Sequence, residues 1–383
     1  MPPSQAPFLF DAPFRNRYFT GRDKELRALL SLLRNGHHAV IAAPPGWGKS
    51  WLAAAAMRLL GQDDPAIRCL TADLFAAQEP ADFLAHFAGR VLEAASPEPA
   101  QRLELALRHL PHASPYLDPE PAAELRFDRG KLQQHPDEIL NLPELLATES
   151  GERFLIYVPD FQRFAQLERG SHFERRVRAV WQNHRQASYL FTGSGGPAFV
   201  QEFERPSRAF YRFAEVMPLQ PLSPESCAAY VSARFKAGGK KISPKIAEKL
   251  SSICEGHPRL LQELGFHLWQ LTGSKAAGKK ELRTALELYF ALHGRAFIRM
   301  AEGLSITQLN LLKAVAMGEQ HLSSLPVMQA YRLGSPASTT KNRRLLMAAD
   351  FLTGEQADLR FTDPLFGFWL RMRYFGAGIR ELV

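Results

Sequence analysis

The spacing of apolar residues changes along the chain and separates a mixed first half from a helical second half. Four short apolar runs are typical of buried parallel strands, at residues 38–42, 67–70, 154–158 and 189–192. Helical spacing of apolar residues predicts one helix that opens near Thr20, which is expected to cap it, and another over residues 50–60. Strands separated by helices predict an α/β fold with a doubly wound parallel sheet over residues 1–220.

A proline-rich segment interrupts this pattern between the second and third predicted strands. Residues 97–143 contain eight prolines and few long apolar periodicities. We therefore expect an irregular insertion around one amphipathic helix, residues 101–110, and not a separate domain.

The second half of the chain carries only helical patterns until its last residues. Four helical stretches predict an all-α lid over residues 221–300, at residues 223–235, 243–254, 258–271 and 280–293. Three shorter helices follow, at residues 307–316, 325–330 and 335–349, and then a hairpin over residues 351–361 that turns near Gly354. Three helices and a wing predict a winged helix-turn-helix over residues 301–383.

A glycine-rich loop follows the first predicted strand and precedes an alanine-rich helix. The loop reads Ala43-Pro44-Pro45-Gly46-Trp47-Gly48-Lys49-Ser50. It matches the phosphate-binding pattern of P-loop proteins, with alanine in the first position. Because strand, glycine loop and helix arrive in the required order, we expect residues 45–50 to bind the phosphates of ATP or, less favoured, GTP. A Gly/Pro loop of an unrelated α/β protein is the alternative.

Each residue type of this loop has a mechanical role in phosphate binding. Gly46 and Gly48 let backbone N–H groups turn toward the phosphates, at the positive end of the following helix. Lys49 is expected to reach the β- and γ-phosphates, and the Ser50 hydroxyl is expected to hold Mg²⁺.

The ends of the third and fourth predicted strands carry further candidates. P-loop ATPases place an acidic residue for Mg²⁺ and usually a second one for the attacking water at the third strand. Here that strand is followed by Pro159 and Asp160, so one carboxylate is available for the metal or for catalysis. Thr192 and Ser194 end the fourth strand, where their hydroxyls are candidates to sense the γ-phosphate; a plain loop start is the alternative.

Taken in order, these motifs resemble the archaeal-type ATPases that also occur in bacteria, within the AAA+/STAND assemblage and related to origin-recognition initiators. The matching segments are Phe19-Thr20-Gly21-Arg22, the P-loop, Asn141-Leu142-Pro143-Glu144, Asp160-Phe161-Gln162, Thr192-Gly193-Ser194, Phe210-Tyr211-Arg212, Leu219-Gln220-Pro221-Leu222, Gly256-His257-Pro258-Arg259 and Phe361-Thr362-Asp363-Pro364-Leu365. The resemblance implies an ATPase core, a helical lid and a C-terminal winged helix.

The resemblance also implies a role for one arginine and shows one departure; a second arginine is a candidate from its position at the start of a helix. Arg212 stands where the family places a basic residue before the last core strand, so it is a candidate arginine finger toward a neighbouring subunit of a homo-oligomer. Arg208 is its rival, and a surface arginine without a role is as well supported. Arg259 is expected to reach back to the γ-phosphate, unless this segment only starts a helix. The family's Asp-Glu pair has become Pro159-Asp160, which affects hydrolysis more than nucleotide binding.

Composition and charge narrow the class of protein. No apolar run is long enough to cross a bilayer, so a cytoplasmic protein without membrane association is expected. Three separated cysteines without a C-x-x-C pair support neither a disulfide framework nor a zinc knuckle. Residues 221–383 hold 22 basic and 13 acidic residues, whereas residues 1–220 hold 25 and 26. This C-terminal surplus suits nucleic-acid phosphates or another acidic surface, or else a solvated face without a partner.

The sequence thus predicts an ATP-dependent switch whose winged helix contacts duplex DNA. Lys341, Arg343 and Arg344 lie on the expected recognition helix and are the candidate DNA contacts. Two alternatives remain: a signalling or defence-type NTPase whose winged helix binds protein, and a nucleotide-binding scaffold that hydrolyses little. Residues 301–383 hold nine basic and seven acidic residues, a modest balance that favours protein.

Overall fold

A computed structural model describes residues 7–10, 14–75, 77–118, 125–167, 172–194, 196–354 and 358–383. Its centre is a five-stranded sheet in the order β2-β5-β6-β1-β7, with every neighbouring pair parallel. The strands are β1 (Ala39–Ala42), β2 (Ile67–Thr71), β5 (Arg153–Val158), β6 (Ala187–Gly193) and β7 (Glu215–Pro218). The predicted α/β fold with a parallel sheet is confirmed.

Helices cover both faces of this sheet. They are α1 (Asp23–Arg34), α2 (Lys49–Asp63), α3 (Pro80–Ala95), α4 (Pro99–His109), α5 (Arg129–Gln134), α6 (Pro136–Ser150), α7 (His172–Trp181) and α8 (Gly196–Glu204). Side chains of β5 alternate between the faces, because Phe154 and Ile156 pack among aromatic rings on one side and Leu155 and Tyr157 pack toward α1 and α2 on the other. The site described below lies at the carboxyl edge, where β1 and β5 end.

Two local sequence predictions were wrong. The proline-rich segment is more helical than expected: it contains α4, α5 and the first half of α6, besides a two-stranded hairpin of β3 (Tyr116–Leu117) and β4 (Leu125–Arg126). Pro143 lies inside α6, where it costs a backbone hydrogen bond. Leu142 and Leu146 of the same helix are buried in the core, and this packing outweighs the loss. In α1 the N-cap is Arg22 and not Thr20.

The second half of the chain contains the predicted lid and winged helix. The lid helices are α9 (Pro224–Ala237), α10 (Pro244–Cys254), α11 (Pro258–Leu271) and α12 (Lys279–Glu302). The winged helix contains α13 (Ile306–Ala316), α14 (Leu325–Tyr331), α15 (Pro336–Ala348), the short strands β8 (Leu352–Thr353) and β9 (Arg360–Phe361), and α16 (Pro364–Phe375). Helix α12 is longer than predicted and continues into the winged helix.

The buried residues of the lid and the winged helix form one continuous cluster. Phe235 and Leu264 of the lid belong to it, as do Leu312, Phe366 and Trp369 of the winged helix. The expected domain boundaries, at residue 220 between core and lid and at residue 300 between lid and winged helix, remain a prediction. In the described residues, no helix is both long and apolar enough to cross a membrane.

Candidate nucleotide site

The loop between β1 and α2 has a backbone that only glycine adopts without strain. Gly46 and Gly48 have φ angles of 77° and 90°, and Gly48 is the N-cap of α2. A Cβ atom on Gly46 would lie 2.6 Å from Cε1 of His257 in the lid. The two glycines therefore turn the chain and let the lid approach the loop closely, and they place Lys49 and Ser50 in the first helical turn.

The side chain of Lys49 folds back over its own loop. Its Nζ donates hydrogen bonds to the carbonyl oxygens of Ala43 (2.6 Å) and Pro44 (2.9 Å), and the residue is 8% exposed. Burial lowers the pKa of Lys49 to about 8, while the negative charges of Asp350 and Asp160 oppose this shift. A phosphate group in this place would provide the missing counter-charge.

A cavity of about 300 Å³ separates the loop from the lid. Its polar end holds Lys49 and Ser50, and Arg259 and Gln262 of the lid also line it. The remaining wall includes the side chains of Leu9, Phe10, Tyr18, Phe19, Trp51, Leu222, Tyr230 and Leu261. Apolar rings beside one cationic end suit a flat base joined to a phosphate chain.

The N-terminal segment forms part of this cavity, which the sequence motifs did not predict. Phe8 is buried in the lid against Phe235, at a ring distance of 5.8 Å. The backbone N–H of Leu9 donates to Oε1 of Gln262 at 3.1 Å. The apolar triplet of residues 8–10 was the available signal, but it is too short to give a periodicity.

Arg22 ties the loop to the end of the last core strand. Its Nη1 donates to Oε1 of Glu25 (2.8 Å) and to the carbonyl of Gln220 (2.7 Å), and its Nη2 donates to the carbonyl of Trp47 (3.2 Å). The residue is 3% exposed. The sequence motif contained Arg22, but only the structure shows that this buried side chain hydrogen-bonds to both the loop and Gln220, which follows β7.

The lid reaches the loop through the start of α11. His257 caps this helix, since its Nδ1 accepts from the backbone N–H of Leu260 at 3.2 Å. Burial lowers the pKa of His257 to about 4, so the ring is neutral at physiological pH. The backbone N–H of Arg259 donates to the carbonyl of Gly46 at 3.3 Å, and Arg259 lines the cavity. The structure thus brings Arg259 to the predicted phosphate site.

Asp160 follows β5 at the same edge of the sheet. Its backbone is left-handed, with a φ of 48°, and the residue is exposed. Nε2 of Gln162 contacts Oδ1 of Asp160 at 3.4 Å and Oγ of Ser194 at 3.3 Å. The N–H of Ser194 in turn donates to Oε1 of Gln162 at 3.3 Å. Gln162 therefore connects the ends of β5 and β6.

Tyr157 supplies a buried phenol at this edge, and the sequence motifs did not identify it. Its hydroxyl lies 2.9 Å from Oγ1 of Thr192 and also hydrogen-bonds with Ser50. Burial is the main reason why the pKa of Tyr157 is raised, so the group remains a neutral phenol. Tyr157 lies in β5 two residues before Pro159, which follows the strand.

The residues at this edge offer one carboxylate and one hydroxyl as ligands for Mg²⁺. The Ser50 hydroxyl hydrogen-bonds with Tyr157, and the charge of Asp160 acts on the same phenol. Mg²⁺ is commonly bound through one or two carboxylates together with substrate phosphates and water. Pro159 offers no donor, so Asp160 would be the carboxylate partner and Ser50 the hydroxyl partner.

The remaining predicted site residues lie elsewhere. Arg212 precedes β7 at the amino edge of the sheet, opposite the P-loop. Its backbone N–H donates to the carbonyl of Phe203 at 2.8 Å. It does not join the cavity of its own chain. On α15, Lys341 and Arg344 are exposed and Arg343 is half-buried.

Comparisons with known proteins agree with this architecture. Residues 295–372 match a family model described as "probable winged helix domain". No curated protein matches the sequence. The structure is similar to a Walker-type ATPase of Pyrococcus abyssi, with a TM-score of 0.68, 15% identity, and coverage of 94% of this chain and 99% of that one.

Two initiator structures of Aeropyrum pernix are also similar. The ORC2 protein gives a TM-score of 0.54 at 13% identity and covers 96% of this chain and 100% of its own. The ORC1 protein in complex with DNA gives 0.50 at 12% identity, with 95% of each chain covered. The chain therefore has the fold of the archaeal Walker-type and origin-recognition ATPases, with a winged helix at its C-terminal end.

Proposed function

We propose that this protein is an ATP-binding switch in which nucleotide bound between core and lid controls the docking of the winged helix, which in turn contacts duplex DNA. The observation that carries the proposal is the direct contact between the winged helix and the P-loop. The guanidinium of Arg360, on β9, lies 5.9 Å from the ring centre of Trp47. A P-loop side chain is thus part of the surface on which the wing rests.

The turn after α15 brings a negative charge toward the same loop. Asp350 has a left-handed backbone with a φ of 58°, and its charge acts on Lys49. A Cβ atom on Gly196 of the core would lie 3.1 Å from the carbonyl oxygen of Met347, so α15 rests on α8 at close range. Phosphates bound at Lys49 would repel Asp350, so ATP binding and docking of the winged helix oppose each other. By linkage, each then weakens the other equally.

The proposed ligand is ATP with Mg²⁺. The base occupies the aromatic cavity, Lys49 and Arg259 bind phosphates, and Ser50 and Asp160 are the metal partners. Thr192 and Ser194 are the proposed sensors of the γ-phosphate. Arg212 is retained as a proposed arginine finger for a neighbouring copy, because it lies away from its own P-loop.

DNA is the proposed partner of the winged helix. Lys341 and Arg344 are exposed on α15, and the C-terminal half of the chain holds the basic surplus. The similar ORC1 protein was solved in complex with DNA, which supports this partner by analogy of fold. The helix that would enter the major groove is the one that rests on α8, so docking and DNA access are linked.

A second candidate is a signalling or defence-type NTPase whose winged helix binds protein. Ile306, Leu325 and Leu345 are exposed apolar residues of this domain, with 80%, 63% and 41% of their surface accessible. Such residues are more typical of a protein interface than of a DNA-binding face. A scaffold with little hydrolysis is a third candidate, because Pro159 removes one of the two usual carboxylates.

The first prediction concerns Lys49. Lys49→Ala should remove measurable ATP affinity and leave the fold intact, because it deletes the phosphate counter-charge at the cavity. Titration with a fluorescent ATP analogue measures the affinity, and circular dichroism checks the fold. Equal affinity in the variant and the parent would show that nucleotide binds elsewhere.

The second prediction concerns Asp160. We expect turnover well below the enzyme median of roughly 10 per second, because one carboxylate serves where two are usual. Asp160→Asn should reduce hydrolysis to near background while ATP binding is largely retained. Pro159→Asp combined with Asp160→Glu should raise turnover, since it restores the acidic pair. Parental activity in Asp160→Asn would place the catalytic carboxylate elsewhere.

The third prediction concerns DNA. Replacing Lys341, Arg343 and Arg344 by Ala should flatten the slope of log K against log[salt] by about 0.9 for each phosphate that the variant no longer neutralises. Duplex binding across a salt series, with and without ATP, provides the measurement. If the slope is unchanged, the protein-binding candidate is favoured.

The fourth prediction concerns the coupling itself. Asp350→Asn should raise ATP affinity about fivefold, at the low end of allosteric couplings, because it removes a negative charge that acts on the phosphate-binding Lys49. Asparagine also tolerates the left-handed backbone of this position. The measurement is made at pH 6.5, where Lys49 stays protonated. The matched control is Glu302→Gln, which neutralises an exposed carboxylate at the end of α12. The same gain in both variants, or none in Asp350→Asn, contradicts the coupling.

A further inference from the structure

A cluster of metal-ligating side chains lies in the insertion, outside the nucleotide site. His112 is in the turn after α4, His135 is the N-cap of α6, and Glu138 is in the first turn of α6. One ligand atom from each of the three residues lies within 4.8 Å of the other two. Two separate chain segments therefore bring two imidazoles and a carboxylate to one point.

The contacts within the cluster leave ligand capacity unused. Nδ1 of His112 pairs with Oε1 of Glu138. The rings of His112 and His135 are stacked, with centres 4.5 Å apart. Oε2 of Glu138 is buried and has no hydrogen-bond partner among the described residues. An unpaired buried carboxylate oxygen is costly, and a cation is one means of satisfying it.

We propose that His112, His135 and Glu138 bind one Zn²⁺-class divalent cation, with a water molecule as the fourth ligand. Imidazole nitrogen and carboxylate oxygen are the donors that zinc takes at about 2.0–2.2 Å in tetrahedral sites, which places neighbouring donors roughly 3.4 Å apart. The longest separation between ligand atoms must therefore shorten by about 1.4 Å at most, whereas the contact between Nδ1 of His112 and Oε1 of Glu138 must open to admit the cation. The stacked rings must also rotate, because a metal lies in the plane of each imidazole that binds it.

The surroundings allow this adjustment. His112 and His135 are both exposed, so their rings turn without disrupting the core. The backbone is fixed by comparison, since Pro136 begins α6 and the N–H of Glu138 donates to the carbonyl of His135 at 3.3 Å. The neighbouring Asp137 does not compete for the cation, because Arg176 holds both of its oxygens at 2.7 Å and 3.2 Å.

Cysteines do not offer a rival zinc site. Burial raises the pKa of the Cys69 and Cys227 thiols to about 11, and it raises that of Cys254 as well. These groups remain thiols, whereas zinc binds the thiolate. The cation would join the turn after α4 to the start of α6, the helix that leads into β5, and would act as a clip of the insertion.

Zinc titration of the full chain without nucleotide tests this site. Calorimetry with Zn²⁺ should show one saturable equivalent in the parent, and Zn²⁺ should raise its melting temperature. His112→Ala and His135→Ala should each weaken binding at least tenfold and abolish the thermal shift, and Glu138→Gln should weaken it in the same direction. The matched control is His321→Ala, which removes an exposed histidine of the winged helix and should bind as the parent does.

Two further readouts separate ligation from folding. Melting temperatures in EDTA should be the same for the parent and the two histidine variants, because both histidines are exposed. Co²⁺ should give the absorption of a tetrahedral site in the parent and lose it in His135→Ala. The proposal is overturned if the parent shows no saturable Zn²⁺ binding. It is also overturned if both histidine variants bind Zn²⁺ with the same stoichiometry as the parent.

Discussion

The buried ammonium group of Lys49 is the constraint around which the rest of the site is arranged. A buried charge costs several kcal/mol unless it is partnered, and the loop supplies the carbonyls of Ala43 and Pro44 as direct acceptors. The nearby carboxylates, Asp160 of the core and Asp350 of the winged helix, oppose the loss of this charge. An anionic ligand would replace them as the dominant partner. In the proposed switch, the energy of ligand binding would therefore be shared with the position of a second domain.

At this edge of the sheet, the residues suited to phosphate binding differ from those suited to hydrolysis. Phosphate binding needs backbone N–H groups and cations, and the loop with Lys49 and Arg259 provides them. Hydrolysis needs carboxylates, and the ends of β5 and β6 supply one exposed aspartate, Asp160, together with the neutral hydroxyls of Tyr157 and Thr192. In the proposed function, such a site would hold its nucleotide more readily than hydrolyse it, which suits a switch that is set by occupancy.

Sequence patterns were sufficient where one period or one motif determined the structure. The apolar runs of the strands and the glycine loop allowed the sheet and the loop to be predicted, because both depend on local rules. The helix through Pro143 and the length of α12 were missed, since tertiary packing overrode the local signals. Tyr157, Arg22 and Asp350 were missed for another reason. Their roles come from contacts between segments more than 20 residues apart, to which periodicity is insensitive.

The distribution of charge limits how the winged helix would bind DNA. Residues 221–300 hold 13 basic and six acidic residues, so most of the C-terminal surplus belongs to the lid and not to the winged helix. Lys236, Lys241, Lys275 and Lys280 of the lid are all exposed. Since the lid and the winged helix share one buried core, they would present a common surface to a partner. A duplex long enough to reach both would gain phosphate contacts from the lid, whereas base contacts would come from α15. The lid would then provide affinity and α15 would provide sequence preference. Only the sequence preference would depend on whether α15 is docked on α8.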